Sequence, residues 1–150
     1  MKKAGLLLLI VMLAGVVKAQ SPEDSVKAVI NRLFTAMKSS DSSLLKTCFT
    51  DSALLQTIVN MNGQVQLKNE TVAEFAKAVA GMPKNAADEQ IVFDVVKIDG
   101  PLAIAWTPYK FYYTGKFSHC GVDSFQLVRI NGQWKIVYLV DTRRKTGCGN

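Results

Sequence analysis

The stretch FSHCGVDSFQLVRI-NG-QWKIVYLVDT, residues 117–142, decides the fold. Both arms are rich in β-branched and aromatic side chains, and Asn131-Gly132 supplies the positive φ angles that a two-residue hairpin loop needs. With a loop of two residues, or any even number, Phe125 lies opposite Tyr138, Leu127 opposite Ile136, Arg129 opposite Trp134 and Asp123 opposite Val140. Alternation along the strands then puts Phe125, Leu127, Trp134, Ile136, Tyr138 and Val140 on one face. That face is apolar enough to be the core side. His119, Gly121 and Asp123 share its parity, so a histidine and an aspartate are expected to point inward near one end.

The same character extends upstream. Ile91–Ile98 and Leu102–Thr114 read as two more strands, with Asp99-Gly100-Pro101 and Thr114-Gly115 as turns. Strands of about 13 residues exceed the usual 5 to 6 and must bend to stay compact. Pro108 is the expected place for a bulge. Counting back across Thr114-Gly115 puts Trp106 and Tyr112 on the inner side; a bulge at Pro108 replaces Tyr112 there by Tyr109, Phe111 and Tyr113. Either register leaves aromatics on the inner face.

Ahead of the strands the period changes. Ser21 suits an N-cap and Pro22 the first helical position, with Glu23 and Asp24 complementing the dipole. Val26, Val29, Ile30, Leu33, Phe34 and Met37 then recur at helical spacing as far as Ser39. Asp41 or Ser42 starts a shorter helix carrying Leu44, Leu45 and Phe49. Ala53–Val59 reads as a strand, Asn62-Gly63 as a turn before Gln64–Leu67, and Glu70–Met82 as a helix stopped by Gly81 to Pro83. Residues 84–89 read as a polar link. The expected class is α+β, a curved antiparallel sheet packed on N-terminal helices. A bent sheet around a long helix forms a cone with a hollow mouth.

Residues 1–19 read as a cleavable signal peptide. Lys2 and Lys3 precede an apolar run from Leu6 to Val17, and Val17-Lys18-Ala19 suits a signal peptidase, so cleavage is expected after Ala19. The run is about a dozen residues, short of the roughly 20 needed to span a bilayer. The expected product is therefore exported, periplasmic or secreted, with residues 20–150 as one domain and no membrane span. Cleavage removes Lys2, Lys3 and Lys18, so the formal net charge of +6 falls to +3. Scattered basic residues and export argue against a nucleic-acid partner.

Three cysteines, Cys48, Cys120 and Cys148, would meet an oxidising compartment. A Cys120–Cys148 bridge is a candidate, with Cys48 left as a buried thiol. One histidine, no CxxC and no HExxH argue against a metal site, and no motif calls for a cofactor. The outer face of the hairpin, with Val122, Val128, Ile130, Val137 and Leu139 among Gln126, Lys135 and Asp141, is apolar enough to expect a homodimer through it.

The whole layout resembles the nuclear transport factor 2-like superfamily, a cone-shaped, cystatin-like fold that also includes ketosteroid isomerase and polyketide cyclases. Within it, Trp106-x-x-Tyr109-x-Phe111-Tyr112, the segment from Phe117 to Asp123, and Asp141-Thr142-Arg143-Arg144-x-x-Gly147-Cys148 resemble the putative lumazine-binding family. The resemblance implies the fold strongly, and function weakly, because this fold hosts enzymes and binding modules alike. A pterin-like or flavin-like ligand is what the family name suggests.

Two functions remain open. A binding module would hold a planar heterocycle among Trp106, Tyr109, Tyr112, Tyr113 and Tyr138, with His119 and Asp123 giving directional hydrogen bonds. An isomerase or dehydratase would use His119 or Asp123 for acid–base transfer and a tyrosine at a developing oxyanion. The isomerase pattern needs a further inward acid, for which Asp94 has no support. A lone strand histidine is more often structural, and Asp123 has the alternative of anchoring a turn or pairing with Arg144. The run Asp141-Thr142-Arg143-Arg144 reads equally as a surface ion pair, a clamp on the strand end or a contact for an anionic ligand.

Overall fold

The first helix sets the scaffold on which the sheet bends. The computed structural model describes residues 21–149, so the expected leader lies outside the described residues. Helix α1 (Pro22–Ser39) is capped by the Ser21 side chain, which accepts from the Asp24 N–H, and ends where Ser40 turns left-handed. It buries Val26, Val29, Ile30, Leu33, Ala36 and Met37, each worth roughly 1.5 to 3 kcal/mol for a large side chain taken out of water. Helix α2 (Ser42–Thr47) is capped by Asp41. Helix α3 (Val72–Ala80) starts with a reciprocal capping box between Thr71 and Glu74.

Among the described residues, seven strands form one open sheet: β1 (Phe49–Met61), β2 (Gln64–Thr71), β3 (Ala87–Ile91), β4 (Val95–Asp99), β5 (Leu102–Tyr113), β6 (Lys116–Ile130) and β7 (Gln133–Arg143). Their order is β2-β1-β7-β6-β5-β3, with β4 also on β5. The β1–β7 pairing is parallel and the others antiparallel. Three of the four hairpin turns, Asn62-Gly63, Thr114-Gly115 and Asn131-Gly132, have positive φ at both central residues, as twist-matched two-residue loops favour; the fourth, Gly100-Pro101 between β4 and β5, has it at Gly100 alone. The helices cover one face, where Phe125, Leu127, Trp134, Ile136, Ala103 and Ala105 meet Ile30, Leu33 and Leu45.

Several expectations need correction. The helix read as Glu70–Met82 spans Val72–Ala80, and Glu70 lies in β2, which runs past Leu67 to Thr71. The polar link at 84–89 contains a strand: β3 begins at Ala87, and the strand read as Ile91–Ile98 is broken at residues 92–94. Phe49 opens β1 rather than belonging to α2, and β1 is longer than Ala53–Val59. The bulge expected at Pro108 lies instead at Phe111/Tyr112, where β6 carries Ser118 as an extra residue.

A second bulge, at Val137, changes which residues face the core. The register from the Asn131-Gly132 turn holds through Leu127 opposite Ile136; beyond Val137, Phe125 faces Leu139 and Asp123 faces Asp141. Leu139 and Asp141 are thereby turned inward, while Tyr138 and Val140, expected on the core side, turn outward. A single added residue reverses the face of everything after it because side chains alternate with period two.

Candidate functional site

The inner face changes from apolar to polar toward one end. Along β6 the inward residues run Leu127, Phe125, Asp123, Gly121, His119; along β5 they run Ala103, Ala105, Thr107, Tyr109, Phe111. Strand β7 adds Asp141 and strand β1 Thr57, paired with each other in the ladder. Strand β3 adds Glu89, opposite Phe111.

The polar groups form two adjacent hydrogen-bonded sets, one centred on Asp141 and one on Asp123. Asp141 is buried and fully engaged: it accepts from Thr57 Oγ1 at 2.6 Å, Tyr109 Oη at 3.2 Å and Arg143 Nε at 2.8 Å. Tyr109 Oη also reaches the Thr142 carbonyl at 2.9 Å, and Arg143 Nη2 donates to Thr57 Oγ1 at 3.2 Å. Asp123, 3 % exposed, accepts from the fully buried Thr107 hydroxyl at 3.1 Å.

Charge cannot sit freely on all three acids. Burial pushes Glu89 up to about 8, with the Asp141 charge adding to the shift and a hydrogen bond to Asp123 opposing it. Asp123 is held well above the usual carboxylate range by burial, then by Glu89 and Asp141. Glu89 and Asp123 are therefore a proton-sharing pair, while Asp141 is ion-paired with Arg143 at 2.8 Å. Burial and the same three carboxylates push the Tyr109 phenol up, so it stays a donor.

Gly121 is required by close approach. A Cβ there would lie 1.7 Å from the Thr142 carbonyl oxygen and 2.9 Å from the Tyr109 ring. The missing side chain lets the Tyr109 ring cross β6 and reach β7. His119 sits one step further out, its ring 5.0 Å from Phe111 and 5.7 Å from Tyr109, with Ser118 Oγ 3.1 Å from Nδ1. Burial lowers its pKa and Arg143 adds to that, so it is neutral at pH 7.

A cleft of about 490 Å³ opens here, lined by Val59, Asn60, Ser118, His119, Arg143, Arg144 and Lys145. Its size is within the usual range for a small-molecule site.

Of the seven residues expected to touch a ligand, Tyr109, His119 and Asp123 come together. Trp106, Tyr112, Tyr113 and Tyr138 do not. Trp106 is 46 % exposed on the opposite face, because its neighbours Ala105 and Thr107 are the inward ones. The Ser118 bulge leaves Tyr112 ring to ring with Phe117, away from His119, and Tyr113 exposed at the hairpin end. Tyr138 bonds Gln56 on the outer side. The expected Asp123–Arg144 pairing is absent from the bonds Asp123 makes, and Arg144 Nε donates to the Gly147 carbonyl. Glu89 and Asp141, the further acids, escape a reading of the sequence: one lies in the presumed link and the other on the presumed outer face. Asp94 lies in the break between β3 and β4.

Cys120 and Cys148 are joined by a disulfide with Cα atoms 5.7 Å apart, and Cys48 is a buried thiol. Cys120 pairs with Arg144, one place beyond the register that the Asn131-Gly132 turn alone would give, again through the Val137 bulge. Among the described residues no group of three or more His, Cys, Asp or Glu is placed to hold a metal ion, and no helix is long and apolar enough to cross a membrane.

The model of the family described as "Putative lumazine-binding" matches residues 21–140. This chain belongs to that family. Solved structures of similar fold include an NTF2-like protein from Shewanella baltica, 16 % identical, with a TM-score of 0.66 over 81 % of this chain and 93 % of that one. Another, from Shewanella oneidensis, is 14 % identical with a TM-score of 0.64 over 81 % and 99 %. An NTF2-like protein with a cystatin-like fold from Novosphingobium aromaticivorans is 14 % identical, with a TM-score of 0.64 over 83 % and 82 %. No curated protein matches the chain. At these identities the likeness establishes the α+β, NTF2-like and cystatin-like fold.

Proposed function

We propose that this family member is an exported binding module that holds a small molecule at the mouth of its cone. The observation that carries the reading is the convergence of Asp123, Glu89, Asp141, Tyr109 and Thr107 at one end of an otherwise apolar interior. Placing three carboxylates together costs stability, and apolar side chains would fill the space without that cost. Such a violation of core patterning is characteristic of a site. The adjoining cleft is lined by His119, whose ring packs on Phe111 behind it, and by Arg143, which suits a flat ring with polar edges. Thermal-shift measurements against pterins, flavins and steroids test this; a flat response to every planar compound would sink it.

A second reading has a specific observation behind it. A proton shared by Glu89 and Asp123 beside the Tyr109 hydroxyl is the arrangement of acid, base and donor that proton transfer next to a carbonyl needs. An isomerase or dehydratase of this kind should lose turnover on Asp123→Asn while still binding its substrate.

Export and dimerisation belong to the same proposal. Mass spectrometry of the chain recovered outside the cytoplasm should give Gln20 as its first residue. The outer sheet face exposes Leu102, Ile104 and Trp106 in one row, and a second copy is the expected cover. Trp106→Glu should turn a dimer into a monomer in sedimentation velocity; a parent chain that is already monomeric at micromolar concentration would remove the dimer.

A further inference from the structure

We propose that the cleft at the cone mouth is an oxyanion subsite, in which Arg143 and Lys145, with His119, hold a carboxylate or phosphate group of the bound molecule. This rests on the reading of the mouth as a small-molecule site and names the chemistry of the ligand.

Three observations carry it. First, the cleft lining contains Arg143, Arg144 and Lys145 and no acidic residue. The acids behind it offset only the charge of Arg143. Asp141 is matched by Arg143, and Glu89 and Asp123 hold a proton between them. Glu70, whose carboxyl feels both Arg143 and Asp141, is also pushed up by burial.

Second, Arg143 is fixed before any ligand arrives. Its Nε is on Asp141 and one Nη2 hydrogen is on Thr57. A guanidinium has five N–H donors in a rigid fork, so Nη1 and the second Nη2 hydrogen remain for a ligand. A charge held by a buried carboxylate loses little rotamer freedom on binding.

Third, the basic turn is anchored. The Arg144 N–H and carbonyl both pair with Cys120 at 2.9 Å, the Cys120–Cys148 disulfide ties down the tail, and Arg144 Nε is bonded to the Gly147 carbonyl. Lys145 follows directly. A loose basic tail would be an ordinary solvated surface; this one is held against the cleft from two sides. His119 completes the site: Ser118 engages Nδ1, leaving Nε2 as the ring nitrogen for a ligand oxygen.

His119 is the chain's one histidine, so its ring reports on the site without overlap. Ring nitrogen NMR of the untagged, disulfide-intact domain would be followed against pH with inorganic phosphate, benzoate and the neutral isostere benzamide. A bound anion should raise the apparent pKa of His119 by roughly half a unit or more, since it offsets the cationic neighbours that lower it. Benzoate should bind roughly tenfold more tightly than benzamide, and phosphate should perturb the amides of 118–119 and 143–145. Lys145→Ala should weaken both anions roughly three- to tenfold, with the melting temperature unchanged. Benzoate and benzamide perturbing the same amides equally, with no change in the His119 pKa, would overturn the oxyanion subsite and leave the small-molecule site standing. No perturbation of these amides by any of the three probes would overturn both. Phosphate perturbation without benzoate binding would assign the subsite to phosphate groups.

Discussion

Asp123 and Asp141 stand directly opposite one another across the β6–β7 ladder. Like charges in that relation destabilise a sheet, and this protein resolves the conflict by treating the two differently. Asp141 has the Arg143 ion pair and two hydroxyl donors. Asp123 has one hydroxyl and shares a proton with Glu89. One carboxylate is therefore ion-paired, and the other has its pKa raised by burial and its acidic neighbours.

Asp141→Asn tests this division. The change keeps the side-chain shape but leaves Arg143 without its counter-ion and weakens the acceptor for Tyr109. Urea unfolding should show a loss of about 1 to 3 kcal/mol, discounted for the partial exposure of Arg143. Carbon NMR of the Asp123 carboxyl should show its titration moving down, since the Asp141 charge helps hold it up. An unchanged Asp123 titration would contradict the coupling.

Glu89 makes stability depend on pH in a definite direction. Its folded value of about 8 lies above the ordinary 4.5, so between these limits the folded state binds more protons than the unfolded state. Stability is then fully present below about pH 4.5 and is lost as pH rises through about 8. Glu89→Gln should flatten the stability curve over that window, with its advantage over the parent growing toward pH 8. Parallel curves for parent and variant would show that Glu89 titrates normally. The coupled Asp123 should leave some residual slope.

Gly121→Ala should be among the most damaging small substitutions. The added methyl meets a backbone carbonyl, which cannot swing aside as a flexible side chain can. A loss of about 3 kcal/mol or more is expected in denaturant unfolding, as for overpacking that moves the backbone. The Tyr109 hydroxyl should also lose its reach to Thr142, visible as a changed phenol environment in ultraviolet difference spectra. A Gly121→Ala variant as stable as the parent would mean that β6 and β7 are further apart here.

The Cys120–Cys148 bridge closes a loop with a sequence separation of 28. Replacing both cysteines by serine should cost about 3 to 4 kcal/mol on the chain-entropy account. Hydrogen exchange should rise first at Arg144 and Cys120, whose paired backbone bonds the bridge supports. Unchanged protection there would show that the strand end is held without the bridge.

The candidate site is half legible without the structure. His119 and Asp123 can be found because the Asn131-Gly132 turn dictates parity along their strand; Tyr109 is expected inward only with a bulge at Pro108, and it is the bulge at Ser118 that turns it inward. Glu89 and Asp141 carry no such signal. Glu89 sits in a short strand of sequence ADEQI, whose polar composition resembles a linker and which exists because β5 offers it an edge. Trp106 misleads in the same way: an aromatic in an aromatic-rich strand gives its face away only through the register.

Local chemistry in the sequence by itself determined the start of α1, the two-residue turns and the α+β order. Caps, left-handed glycines and apolar periods act within a few residues, and Ser21 and the Gly-containing turns needed no distant partner. Only the tertiary structure decided which residues face the cone mouth. Two bulges, at Ser118 and Val137, each reverse the alternation beyond them. A bulge is chosen by how long strands bend over α1 and its core, not by the composition at the bulge. Asp141 therefore became part of the site, and Tyr138 and Trp106 did not, for a reason that no local reading of their neighbours contains.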